Sequence, residues 1–225
     1  MATVFHVISV LGGTGAEGSG LALRLALAGH RVILGSRNPE KAAKVCAELN
    51  GRLTTASVTH MDNRAAAAAG EIVLLTVPYS AQRATVEEVR CALAGKILID
   101  ATVPLVPPKV ARVQLPPGGT AVAAIQHLLG HSVRVVSAFQ NVSSHQLQDP
   151  QHKVDCDVLV CGDDAAARQT VIELARDMGL RAHHAGPICN SAAAEALTSV
   201  LIAINIRYKI SGTGIRITGV PGTEA

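Results

Sequence analysis

The sequence predicts an α/β fold: a doubly wound parallel sheet followed by a small C-terminal α/β segment. Three observations lead there. Strand-like and helix-like stretches alternate almost without break from Val4 to Ala101. Two of the strands, EIVLLTV at 71–77 and KILIDA at 96–101, are nearly continuous aliphatic runs, as parallel strands covered on both faces require. The 225 residues hold two Phe, two Tyr and no Trp, so the core must be built from Ala, Val, Leu and Ile. Repeated strand–helix–strand units of this kind wind right-handed, with helices on both faces of the sheet.

The elements follow in order. Val4–Leu11 reads as a strand that runs into a glycine-rich loop and a helix over Glu17–Ala28. Arg31–Gly35 is the second strand. Pro39 sits where a first helical turn tolerates proline, and that helix runs to about Leu49. Residues 53–58 form a weak strand, and Asp62 caps a short alanine-rich helix that stops before Gly70. After the aliphatic strand at 71–77 come a helix over Ser80–Leu93 and the strand at 96–101. Thr102–Gly119 then holds five of the ten prolines, and a long irregular loop of this kind points to function. A helix at Thr120–Leu129 and a strand at Val133–Val136 complete a first domain, residues 1–136. Residues 137–225 form a second. Its parts are a strand at Asp157–Val160, an amphipathic helix at Ala165–Met178, and a strand at Leu180–Ala185. A helix at Ser191–Asn205 follows, with Leu197, Val200, Leu201 and Ile204 on its apolar face. A strand-like piece at Gly214–Thr218 precedes a loose tail.

Composition excludes several functions. Four aromatic rings are too few for stacking platforms on single-stranded nucleic acid. A net charge of +3 from 20 basic and 17 acidic residues is no phosphate-tracking stripe. No uninterrupted apolar run reaches the roughly 18 residues of a membrane span, and the N-terminus has no basic start or cleavage site. No membrane or nucleic-acid partner is therefore expected. Five cysteines without a CxxC read as free thiols in a reducing cytoplasm.

The strongest local signal is LGGTGAEG, residues 11–18, between a predicted strand and a predicted helix. In the pattern Gly13-x-Gly15-x-x-Gly18, Gly13 permits the tight turn, Gly15 lets the backbone approach a pyrophosphate, and Gly18 lets the helix pack on the sheet. The helix N-terminus, through Thr14, Ala16 and Glu17, offers unpaired N–H groups to the phosphates. This is the fingerprint of a Rossmann-type dinucleotide site. The end of the second strand chooses the dinucleotide. It reads Gly35-Ser36-Arg37, with no carboxylate for a ribose 2′-hydroxyl. Ser36, Arg37 and Lys41 suit a 2′-phosphate instead, so the cofactor is expected to be NADP(H). Val77, Pro78 and Ala101 end the two central strands at the crevice where such ligands bind, and Tyr79 borders it.

Familiar catalytic arrangements are missing. Tyr79 is followed at the fourth position by Arg83 and Tyr208 by Gly212, so there is no Tyr-x-x-x-Lys. No GxSxG occurs. His127 and His131 share a predicted helix face without a carboxylate, and no metal site is expected. An NADPH site without an obvious acid–base pair is consistent with hydride transfer between two planar cofactors held face to face.

At this point the residues resemble a known family. The run LGGTGAEGSGLALRLALAGHRVILGSRNPEKA looks like the opening of the NADPH-dependent reductases of coenzyme F-420, a deazaflavin. SAFQNVSSHQLQD, DCDVLVCGDD, AGPICN, EALTSVLIAIN and RYKISGTGIRITG look like that family's later blocks, so the likeness spans roughly residues 4–220. It implies a cytoplasmic, usually homodimeric oxidoreductase moving hydride between NADP(H) and coenzyme F-420. It further implies that Thr14, Ser36, Arg37 and Lys41 hold the 2′-phosphate end of NADP. Phe139, Gln140, Asn141 and Val142 would face the deazaflavin, with Gln140 and Asn141 positioning it. The helix at 191–205 would close the pocket. Where some members carry His, this chain has Gln140, which can hydrogen-bond a ring carbonyl but not act as an acid. Two other functions use the same architecture: an NADPH-dependent reductase of a free flavin, ferric chelate or imine, and a non-catalytic NADP-binding sensor.

Overall fold

The computed structural model describes residues 4–54 and 57–220. Strand β1 (Val7–Leu11) feeds helix α1 (Ala16–Leu27), then β2 (Arg31–Gly35), α2 (Pro39–Asn50), β3 (Val58–Met61) and α3 (Asn63–Ala69). The chain continues through β4 (Ile72–Leu75), α4 (Tyr79–Val89), β5 (Ile97–Asp100), α5 (Ala121–Leu129) and β6 (Arg134–Ser137). After a single turn of helix, α6 (Ser144–Leu147), come β7 (Asp157–Gly162), α7 (Ala165–Asp177), β8 (Arg181–His184) and α8 (Ser191–Tyr208).

The eight strands form one sheet in the order β3-β2-β1-β4-β5-β6-β7-β8. The first six are parallel, the doubly wound arrangement expected from the alternating elements. β7 joins β6 antiparallel and β8 runs parallel to β7. The boundary expected at residue 136 therefore falls within β6, and the chain beyond it extends the same sheet.

Side chains alternate across the strands, so each strand feeds two cores. Ile8, Val10, Val32, Leu34, Leu74 and Ile99 pack with α1 and with Val171 and Leu174 of α7. Ile33, Val73, Leu75 and Leu98 pack with α3, α4 and α5 on the opposite face. All four residues of β4 and of β5 are buried. The aliphatic composition is thus the direct consequence of a parallel sheet covered on both faces.

Some elements differ from expectation. The third strand begins only at Val58, and Thr55 and Ala56 lie outside the described residues. Gly214–Thr218 forms no strand. It lies beside the start of β7, where the Ile215 carbonyl accepts from the Asp157 amide (2.8 Å) and the Ile217 amide donates to the Asp157 carboxylate (2.6 Å). The expected loose tail at 221–225 lies outside the described residues.

Helix α8 is turned away from its expected face. Its buried stripe is Ser191, Ala194, Glu195, Ser199 and Leu201, while Val200 is 45% exposed. The cause is polar. The Glu195 carboxylate accepts from the backbone amides of Ala121 (2.8 Å) and Val122 (3.2 Å), from the Thr120 hydroxyl (2.5 Å) and from Ser191 (3.1 Å). A buried carboxylate on the N-terminus of α5 satisfies donors that would otherwise have no partner, and this sets the rotation of α8. Together with the preceding turn, Ile188–Tyr208 is long and apolar enough to cross a membrane by length and composition, with a third of its apolar window buried. Ile206, Tyr208 and Ile210, at and just beyond the end of α8, are also exposed.

One polar cluster joins α1 to the segment after β6. Arg24 of α1 is buried, and its guanidinium donates to the carbonyls of Gln146 (2.9 Å), Leu147 (3.2 Å), Asp149 (2.7 Å) and His152 (3.0 Å). Burial pulls the Arg24 pKa down from its ordinary value, while the nearby Asp149 charge opposes that. Gly20, one turn earlier, lets Leu147 approach to where a Cβ would lie 2.8 Å from the Leu147 Cβ. Arg24→Ala removes the guanidinium from four carbonyls, of which Asp149 keeps the His152 amide (3.1 Å), at a cost on the order of 3 kcal/mol. A fall in Tm of roughly 6–12 °C, measured by thermal denaturation, is expected for a domain of this size.

Candidate functional site

A cavity of about 1000 Å³ runs across the carboxyl ends of the central strands. Its floor is the β1–α1 loop. The left-handed residue of that loop is Gly12 (φ +81°), not Gly13, so the tight turn sits one residue earlier than the motif implied. A Cβ on Gly13 would lie 2.8 Å from the Leu34 side chain, so its glycine serves packing beneath the wall. A Cβ on Gly18 would lie 2.5 Å from the Thr76 hydroxyl and 2.8 Å from the Gly12 carbonyl, as expected for close helix–sheet approach. Gly15 faces the cavity and caps α1 without any side-chain hydrogen bond. The first amides of α1 are thus left for an anion.

At one end the wall is cationic. Thr14, Ser36, Arg37 and Lys41 all line the cavity. Asn38 caps α2 by accepting from the Lys41 amide (2.8 Å), and the Ser36 hydroxyl bonds within the same turn to the Asn38 backbone. This corner holds Arg37 and Lys41 outward without an acidic partner among the described residues. Asn63, the first residue of α3, also lines this wall and was not anticipated from the sequence. It follows the Asp62 cap by one position, a placement that carries no recognisable motif.

At the other end lie Val77, Pro78, Ala101, Gln140 and Val142, with Ala16 and Glu17 between. The proline-rich loop contributes Val103, Leu105, Val106, Pro107 and Val110, and α8 contributes Thr198. Gln140 is held tightly. Its Nε2 donates to the Asp100 carbonyl (2.7 Å) and the Ser137 hydroxyl (2.8 Å), and its own carbonyl accepts from Thr198 (2.7 Å). Its Oε1 is buried without a partner.

Two neighbours of Gln140 are not at the cavity. Phe139 is 1% exposed in the core and Asn141 donates inward to Cys156 Sγ (3.2 Å) and the Asp157 carbonyl (2.8 Å). The reason is local backbone geometry. Phe139 has φ +75°, a conformation costing on the order of 1–3 kcal/mol for a bulky residue, and it turns the chain between the core and the cavity. Of the four residues expected to face a second cofactor, Gln140 and Val142 line the cavity, and Phe139 and Asn141 do not.

The cavity is not devoid of titrating groups. Burial, with a smaller contribution from the Asp100 charge, raises the Glu17 carboxyl to about 8. Burial likewise raises Asp100 to about 6, against hydrogen bonds from Thr102 and Gln82 that favour its ionised form. Gln82 Nε2 (2.6 Å) and the Thr102 amide (2.9 Å) both donate to the Asp100 carboxylate. Glu17 therefore keeps its proton at neutral pH, which the glycine motif alone gave no means of reading.

The residues present fit a dinucleotide. An uncapped helix N-terminus, a glycine open to the cavity, unpaired cations at the end of β2 and an elongated 1000 Å³ space are what a phosphorylated dinucleotide requires. Comparison with known proteins agrees. The family model described as "NADP oxidoreductase coenzyme F420-dependent" matches residues 7–104. The F420-dependent NADP reductase of Methanocaldococcus jannaschii is 43% identical over 221 residues, covering 95% of this chain and 98% of that protein. The enzyme of the same name from Methanothermobacter marburgensis is 43% identical over 222 residues, covering 95% and 99%. A crystal structure from Arthrobacter sp. FB24, provisionally described as an F420-dependent NADP-reductase, superposes with a TM-score of 0.80 at 25% identity, covering 95% and 100%.

The raised Glu17 pKa has a thermodynamic consequence. Between its ordinary value of 4.5 and about 8 the folded protein binds the proton that the unfolded chain has lost. The contribution of Glu17 to stability is therefore full below pH 4.5 and falls as pH rises toward 8. Glu17→Gln without cofactor should match the wild type in Tm near pH 4 and exceed it at pH 8, as thermal denaturation across that range would show.

Proposed function

The chain belongs to the F420-dependent NADP reductase family and is an NADP(H)-using oxidoreductase, and from that premise we propose that it exchanges hydride between NADP(H) and coenzyme F-420. The observation that carries the reading is one cavity with two unlike ends. The unpaired Arg37 and Lys41 sit at the end of β2, while an apolar basin lies between Val142 and the proline-rich loop. NADP(H), when bound, gives or takes a hydride at its nicotinamide ring, and the deazaflavin is its two-electron partner.

The chain's own residues divide the remaining work. The α1 amides and Gly15 hold the pyrophosphate, and Ser36, Arg37, Lys41 and Thr14 hold the 2′-phosphate. Gln140, fixed by Asp100, Ser137 and Thr198, presents a rigid amide at the opposite end. The loop side chains Val103, Leu105 and Val106 exclude water from that end. Glu17 holds a proton on the cavity wall at neutral pH. The same reading places the enzyme in the cytoplasm as a homodimer, with small-molecule cofactors as its substrates. The exposed apolar side chains Val200, Ile206, Tyr208 and Ile210 on and after α8 support the dimer, as surface that a second copy would cover.

Turnover tests the acceptor. Purified protein should oxidise NADPH with coenzyme F-420 and not with flavin mononucleotide, a ferric chelate or an imine. Turnover with one of those and none with the deazaflavin overturns the reading, and no turnover with any favours an NADP-binding sensor. Arg37→Ala should raise the NADPH Michaelis constant at least ~10-fold, the loss of a charge-assisted bond, and leave that for NADH unchanged.

A further inference from the structure

We propose that Glu17 couples the charge of the nicotinamide ring to a proton, so that the cavity releases a proton when it takes NADP+ and none when it takes NADPH. The inference rests on the NADP(H) reading above and deepens it, adding how the site weighs the two redox forms. The titratable or charged side chains lining the cavity are Glu17, Arg37, Lys41 and Tyr79, and Glu17 is the one acid among them. It is partly exposed. Its carboxyl makes no hydrogen bond or ion pair among the described residues, and neither oxygen is shut off from solvent. A free carboxyl thus faces the space that the cofactor would fill.

Its surroundings say which part of the cofactor it meets. A dinucleotide with its 2′-phosphate on Arg37 and Lys41 and its pyrophosphate over Gly15 extends its nicotinamide toward Ala101 and Gln140. Glu17 belongs to that end. The charge that bears on it is Asp100, at the end of β5, and not Arg37 or Lys41 at the end of β2. Asp100 is buried behind the wall, its backbone carbonyl accepts from the Gln140 side chain (2.7 Å), and the Glu195 charge stands beyond it. The other walls bring no further charge: Gln140, Val142 and Ser144 after β6, Thr198 from α8, and aliphatic side chains from the proline-rich loop. Arg52, His145 and Asp149 line a separate hollow beyond Ala16 and Ser144.

NADP+ and NADPH carry the same phosphates and differ by one hydride. Loss of that hydride turns a neutral ring into a cation, and a carboxylate beside a cation is stabilised. Beside the neutral ring no such partner exists. Without ligand the Glu17 carboxyl keeps its proton up to about pH 8, through burial and, less, through Asp100. As the second residue of α1 it stands at the positive end of the helix, so its ionised form is within reach. NADP+ therefore lowers the Glu17 pKa on binding, and the proton passes to water. A pKa lowered by a ligand makes affinity rise with pH, from the bound value up to the free one.

The test is binding, not turnover. Dissociation constants of NADP+ and NADPH are measured by isothermal titration calorimetry, without deazaflavin, for wild type and Glu17→Gln. In wild type the ratio Kd(NADPH)/Kd(NADP+) should rise roughly 10-fold between about pH 6.5 and about pH 9. Titration of the 2′-phosphate is common to both ligands and cancels in the ratio. Near pH 7.5, buffers of different ionisation heat should count roughly half a proton more released with NADP+ than with NADPH. Glu17→Gln should lose both effects. A wild-type ratio that stays flat with pH, as a carboxyl facing only the pyrophosphate would give, overturns the proposal. So does a pH-dependent ratio that survives in Glu17→Gln. The wild-type measurements do not depend on the variant folding. If wild type binds both forms with a flat ratio, this inference alone falls. If it binds neither, the NADP(H) reading falls and takes the inference with it.

Discussion

The buried Arg24 guanidinium is the contact on which the cavity depends. Arg24 in the first helix and the carbonyls it binds in the segment after β6 are 122 to 128 residues apart in the chain. Four carbonyls of that segment converge on one side chain. A fixed, charged donor is suited to this because each bond is stronger than a neutral one and its geometry is planar. The segment it holds includes α6 and follows directly on Gln140 and Val142. The far wall of the cavity is therefore placed by a residue that does not line it.

A second buried charge completes the frame from the other side. Glu195 joins α8 to the N-terminus of α5 and to Thr120, where the proline-rich loop ends. One turn further along α8, Thr198 bonds the Gln140 carbonyl. Loop, helix and positioning residue are thus tied by a chain of hydrogen bonds, each made by a side chain that is buried or nearly so. The same polar logic turns an apolar face of α8 outward. The helix pays for an internal hydrogen-bond network with exposed Val200 and Ile206.

The electrostatics of the cavity follow from where its charges stand. Arg37 and Lys41 are exposed at the β2 end without acidic partners, so that end keeps its positive charge for a phosphate. Glu17 stands on the cavity wall and Asp100 is buried behind it, and burial raises both carboxyl groups, Glu17 to about 8 and Asp100 to about 6. The result is a cavity with two cations at one end and apolar side chains at the other. A lone glycine-rich motif would not distinguish this from a site that repels anions, because Glu17 stands within the motif itself.

By itself the sequence determined the alternation of elements, the parallel sheet and the dinucleotide corner. Aliphatic runs bounded by glycine, proline and capping residues carry their own local reasons to be strand or helix, and α2, α3 and β2 lie where those reasons put them. Gly35-Ser36-Arg37 was legible for the same reason, since its chemistry is that of adjacent residues. The turning of α8, the burial of Phe139 and Asn141, the protonation of Glu17 and the place of Asn63 in the cavity wall were not. Each depends on groups distant in the chain: Thr120 for α8, Asp157 for Asn141, Asp100 for Glu17 and Gly35 for Asn63. Local pattern decides which element forms. Only the packed structure decides which side of it meets water, core or ligand, because burial and hydrogen-bond partnership are properties of neighbours in space.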